Sequence, residues 1–172
     1  LLNAGVIGLL HDLEDLLINK CGLTNGNNFI DLYKLLSLNL SVNGITDLNF
    51  MENNFLKLET FIASNNSLLD NTISDESISG INSCINLNKL VLSGNSIMNL
   101  SPLSGRDKLK ELYLENNNIE VIPSQLALPG LETFYLSNNS LTDIGALSTL
   151  SSITTLNLNN CGISSLPQLS QP

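Results

Sequence analysis

Tryptophan is absent from this chain, histidine occurs once, and basic residues number only 7 in 172. Each shortage excludes something. A nucleic-acid binder needs a footprint of Lys and Arg to neutralise phosphates. With 16 acids against those 7 bases and a net charge of −9, no such footprint exists. The same balance disfavours an anionic membrane surface. No apolar run approaches the roughly 20 residues that a membrane-spanning helix requires. Three cysteines, Cys21, Cys84 and Cys161, do not make a disulfide framework. The one histidine, His11, stands beside Asp12 near one end of the chain. A nucleophile–base–acid arrangement needs convergent geometry that this placement does not offer, so His11 reads as a surface residue.

What is present is repetition. The chain is 42% hydrophobic and 13% charged, too apolar for disorder. Its bias toward Leu, Asn and Ser points to one motif used many times. That motif is L-x-x-L-x-L-x-x-N-x-L, with Ile or Phe allowed for Leu and Cys for Asn. It opens at Leu13, Leu35, Leu58, Leu87, Leu109, Leu131 and Ile153, at spacings of 22, 23, 29, 22, 22 and 22 residues. One match would be weak because Leu is common. Seven in register are not chance.

Each fixed position has a physical task. Within L-x-L the side chains alternate, so the leucines point into a core and their neighbours outward from a short strand. The ninth position holds Asn43, Asn66, Asn95, Asn117 and Asn139, with Cys21 and Cys161 at the two ends. A buried Asn can bond backbone groups of adjacent turns and satisfy chain that leaves the sheet. A second inward row follows, with Leu48, Leu100, Ile122, Ile144 and Leu166 three residues after the eleventh position. A 22-residue turn leaves little room for a long helix opposite the strand, so 3₁₀ or short helical turns are expected there. Pro102, Pro123, Pro129 and Pro167 all fall on that outer segment, where no ladder bond is lost.

These residues resemble the leucine-rich-repeat family, specifically its 22-residue, Sds22-like class. Ser101–Leu103 and the stretch from Asn139 to Leu158 look internalin-like. The resemblance covers essentially the whole chain. It implies an α/β leucine-rich-repeat solenoid, with short parallel strands on the concave face and 3₁₀ or short helical turns and loops on the convex face. It also implies protein ligands on the concave sheet. The expected organisation is one domain over 1–172: residues 1–12 end a preceding repeat and 13–172 carry seven strand-bearing repeats. The turn opening at Leu58 is expanded, with a bulge at 69–77 that should leave the ascending or convex side. Leu1 falls in mid-repeat, Pro172 stops before an eighth strand, and neither end has a polar cap. Such ends normally need covering, so the chain reads as a fragment of a longer one.

With the register fixed, the outward sheet column between the strand leucines runs Leu17, Asn39, Ile62, Val91, Tyr113, Tyr135, Asn157. Ile62, Val91, Tyr113 and Tyr135 form a connected apolar stripe, a binding signal when it lies on one exposed face. Tyr suits such a role because it joins an apolar body to a polar tip. Cross-strand pairing for sheet stability would select the same residues. Glu111, Glu115 and Glu132, with Lys89 and Lys110 nearby, border the stripe. That border suits a partner presenting Arg or Lys around an apolar anchor, and equally suits plain solubilising charge.

Other chemistry is not indicated. Asp70, Asp75 and Glu76 lack the spacing of a calcium loop and read as a solvated acidic bulge. The three cysteines read as reduced core residues, which favours an intracellular compartment. Of the sequons at Asn39, Asn65, Asn99 and Asn138, three are expected on the sheet face, where glycans would obstruct binding. The expectation is therefore a cytoplasmic interaction scaffold or regulatory subunit, not an enzyme, whose partner is another protein. No cofactor, metal, nucleic acid, membrane insertion or small-molecule substrate is expected. Three alternatives stand beside it: a surface-exposed internalin-like adhesin, the targeting region of a larger enzyme, or part of a cytoskeletal or axonemal assembly.

Overall fold

The computed structural model describes residues 4–68 and 77–163. Its frame is seven three-residue strands: β1 (Asp15–Leu17), β2 (Ser37–Asn39), β3 (Thr60–Ile62), β4 (Lys89–Val91), β5 (Glu111–Tyr113), β6 (Thr133–Tyr135) and β7 (Thr155–Asn157). They pair in chain order into one sheet, every pair parallel. Equivalent positions face each other throughout, Thr60 opposite Lys89 as regularly as Glu111 opposite Thr133. The uneven spacings of the sequence are therefore absorbed entirely outside the sheet.

The alternation within each turn decides what is buried. Leu38, Phe61, Leu90, Leu112 and Phe134 point inward from the strands, followed by Leu40, Ala63, Leu92, Leu114 and Leu136, all at most 1% exposed. Leu48, Leu100, Ile122 and Ile144 meet them from the outer wall, in one continuous core. Leu166 lies outside the described residues, as does Pro167. At the last strand the inward Leu156 is 42% exposed, because no further strand covers that edge of the described sheet.

Among the described residues the helical segments of the outer wall are all 3₁₀: Ala4–Leu9, Asn27–Phe29, Asn49–Met51, Ser79–Ser83, Ser101–Leu103 and Gly145–Thr149. The turn between β5 and β6 has none. In five of the others the residue before the 3₁₀ segment sits near ψ 0°, with Gly26 at 17°, Leu48 at 20°, Ile78 at 4°, Leu100 at −1° and Ile144 at 8°. Ile122 is the equivalent residue here, and Pro123 follows it directly. Proline disfavours that conformation in the residue before it. The segment instead runs on through a parallel bridge between Val121 and Asp143.

Asparagine ties successive turns together. The Asn117 amide nitrogen donates to the carbonyls of Leu92 (3.1 Å) and Leu114 (3.0 Å), while its oxygen accepts the Ile97 N–H at 3.0 Å. Asn43, Asn66, Asn95 and Asn139 repeat this set. Cys161 is buried and supplies a thiol donor to the Leu136 carbonyl at 3.1 Å. Cys21 corrects the expectation of three buried thiols. It is exposed, because β1 is the first strand of the sheet and no strand precedes it among the described residues.

One residue earlier, every turn enters the left-handed region: Lys20, Val42, Asn65, Gly94, Asn116, Asn138 and Asn160 have φ between 53° and 72°. Asn tolerates this conformation better than most residues. Here it also forms an exposed second ladder, Asn160 to Asn138 at 2.8 Å and Asn138 to Asn116 at 3.0 Å. Asn65 and Asn138 thus belong to the turn and not to the sheet face, leaving Asn39 as the sequon residue on that face.

Of the expected bulge, residues 69–76 fall outside the described residues, with Asp70, Asp75 and Glu76 among them. Where the chain resumes, Ser77 is buried and its carbonyl accepts the Leu48 N–H at 2.6 Å. Three residues on, a Cβ on Gly80 would lie 1.9 Å from the Leu48 carbonyl oxygen, so only glycine fits this approach.

Candidate functional site

The strand pairing places Ile62, Val91, Tyr113 and Tyr135 side by side on β3 to β6, at about 5 Å per step. All four are half-buried on the outward face of the sheet. The two tyrosines meet edge to face, with ring centroids 5.1 Å apart and planes at 66°.

A polar frame surrounds the Tyr113 end. Lys89 Nζ reaches Glu111 Oε2 at 2.7 Å and lies 5.0 Å from the centre of the Tyr113 ring. The Tyr113 hydroxyl donates to the same carboxylate oxygen at 2.9 Å. The hydrogen bond from Lys89 holds the Glu111 carboxyl below its ordinary range, and Glu111 in turn raises Lys89. Burial, and then donation to Glu111, pushes the Tyr113 phenol up. On the opposite border the Ser93 hydroxyl donates to Glu115 Oε2.

Of the sequence-predicted site residues, seven therefore share this face: the four of the stripe with Lys89, Glu111 and Glu115. Glu132 does not join them. It precedes β6 by one residue, where alternation turns it away from the tyrosines, and its ion pair is with Lys110 at 3.2 Å. His11 is exposed, stacked on Tyr33 at 5.8 Å between ring centres. Among the described residues no group of three or more His, Cys, Asp or Glu side chains is arranged to hold a metal ion. No helix among them is long and apolar enough to cross a membrane.

The structure also shows an apolar row that sequence reasoning missed. Tyr33, Leu56 and Ile85 are 55%, 52% and 66% exposed, each two residues before the opening leucine of its turn. Their recurrence is the signal in the sequence, at a position that lies outside the motif. Cys84, under the same wall, is a fully buried thiol that burial pushes up to about 12.

No curated protein matches the chain by sequence. Among solved structures, an internalin from Listeria monocytogenes superposes with a TM-score of 0.72 at 24% identity, over 91% of this chain and 51% of its own. A leucine-rich-repeat protein of Leptospira interrogans gives 0.65 at 24% identity, over 90% of this chain and 45% of its own. The plant peptide hormone receptor RGFR1, in complex with RGF2, gives 0.71 at 23% identity, over 91% and 28%. The chain thus spans about half the length of the two bacterial proteins. Residues 107–163 match the leucine rich repeat family, and with seven parallel strands wound in register the chain folds as a leucine-rich-repeat solenoid.

Proposed function

We propose that this chain is a protein-interaction scaffold or regulatory subunit that holds another protein against the outward face of its sheet. The observation that carries this reading is the stripe Ile62–Val91–Tyr113–Tyr135, in register on adjacent strands and with no second layer over it among the described residues. Tyr113 and Tyr135 supply the rigid aromatic anchors, and Glu111, Glu115 and Lys89 supply a charged rim that orients the partner.

A solenoid is suited to the task because strand positions held by a continuous core present side chains at fixed spacing, which keeps the ordering cost of binding low. The 22-residue period fits the Sds22-like class, and the three free cysteines fit a cytoplasmic setting. A second reading, a cell-surface adhesin, draws on the shape shared with the internalin.

The test is capture of partners by the intact protein, comparing the wild type with a Tyr113→Ala/Tyr135→Ala double variant, with mass spectrometry as readout. Proteins held by the wild type should be lost from a variant whose circular dichroism shows it folded at the assay temperature. Retention of the same proteins by the folded variant sinks the proposed surface.

A further inference from the structure

We infer, resting on the sheet-face assignment above, that the partner group seated between Glu115 and Tyr135 is an arginine side chain. Four charged residues stand on the outward columns of the described sheet: Asp15 on β1, and Lys89, Glu111 and Glu115 near its centre. Lys89 and Glu111 neutralise each other at 2.7 Å. Glu115 has no cation among the ion pairs of the described residues, and its contact is with the Ser93 hydroxyl. The centre of the face therefore keeps one uncompensated carboxylate, and it is not a freely swinging one. Glu115 is half-buried, with one oxygen fixed by Ser93 and the other in no hydrogen bond among the described residues.

The neighbouring rung shows what such a surface takes. There the Lys89 ammonium sits between a carboxylate and the Tyr113 ring, 5.0 Å from the ring centre. Glu115 and Tyr135 offer a carboxylate and a ring one rung further on, with no cation between them. Their Cα atoms lie across the diagonal of one strand spacing and two residues, about 8 Å. A guest must bridge that distance. A guanidinium does so better than an ammonium: its plane lies on the ring while its fork meets the carboxylate with two N–H groups. Its remaining donors need acceptors, and Ser137 stands beside Glu115 on β6's continuation, with the Tyr135 hydroxyl unbonded within the described chain. The methylene stem lies along Val91 and Tyr113, apolar surface of the kind such stems cover.

The test uses the full chain and two small probes, N-acetyl-arginine methylamide and its citrulline counterpart, which has the same shape without the charge. Tyrosine ring resonances are followed by NMR during titration. The arginine probe should shift the Tyr135 ring resonances and the citrulline probe should not. Glu115→Gln should weaken the arginine response at least tenfold, while Glu120→Gln, far from the face, should leave it unchanged. Equal responses to the two probes, or an undiminished response in Glu115→Gln, overturns the assignment. In partner capture, loss from Glu115→Gln supports it. Capture that needs the tyrosines but survives Glu115→Gln overturns the arginine assignment while the sheet-face reading stands.

Discussion

Tyr113 and Tyr135 occupy paired positions on β5 and β6 and meet edge to face, ring centres 5.1 Å apart. That contact serves the sheet as well as any ligand. A double-mutant cycle on the two, each changed to Ala and followed by urea unfolding, should give a coupling of about 1 kcal/mol. A coupling indistinguishable from zero would mean that the pair does not hold the face together.

The Lys89–Glu111 pair predicts a pH signature. The folded-state pKa of Glu111 is depressed, so its stabilisation is present above the unfolded carboxylate value and is lost as pH falls through the folded value. Lys89 is raised, so its share is present below the ordinary lysine value and lost as pH rises through the folded one. Both side chains are a little over one-third exposed, which holds the pair below about 1 kcal/mol. The sharper readout is the Glu111 carboxyl carbon followed by NMR. Its midpoint should rise toward the ordinary value in Lys89→Met, and a fixed midpoint would contradict the assignment.

Asn117→Leu removes the partner of three backbone groups, the Ile97 N–H and the Leu92 and Leu114 carbonyls. Leaving them unpaired should cost at least about 2 kcal/mol in chemical unfolding. The adjacent exposed Asn118→Ala should cost no more than about 0.5 kcal/mol. Similar midpoints for the two would show that the ladder is dispensable.

Val42 holds φ 58° with a β-branched side chain, in a row otherwise filled by Asn, Gly and Lys. Val42→Asn should raise stability by about 1 kcal/mol by relieving the left-handed strain. Gly80→Ala should lower it by about 1–3 kcal/mol, because the new methyl meets the Leu48 carbonyl. Thermal melts of the two variants should move in opposite directions.

The thiols report on burial. Cys21 is exposed, while Cys84 and Cys161 are buried and Cys84 is pushed up to about 12. A thiol reagent should label Cys21 alone in the native protein and all three in urea. Native labelling of Cys84 would contradict the packing of the outer wall.

Legibility in the sequence followed the period. The motif gave the strand positions, the inward rows, the asparagine ladder and the outward columns, since each depends on spacing alone. What it misjudged were matters of neighbours. Cys21 resembles Cys161 in sequence, but only Cys161 follows another strand-bearing turn, whose Leu136 carbonyl takes its thiol. Spacing alone places Asn65 and Asn138 on the sheet face, whereas each turn has already bent to positive φ at their position. The outer segment after Ile122 lacks the 3₁₀ turn its spacing predicts, because Pro123 disfavours the backbone angle this needs.

The tyrosine stripe shows the division most clearly. Period-two alternation within L-x-L is local chemistry, so the sequence by itself determined that Ile62, Val91, Tyr113 and Tyr135 share one face. Which charges they carry around them is a matter of rotamers and strand-to-strand distance. Only the tertiary structure paired Lys89 with Glu111 and turned Glu132 toward Lys110, leaving Glu115 without a cation among the described residues. The reason is that spacing sets which residues are neighbours, whereas side-chain charges choose among those neighbours only once the strands lie side by side.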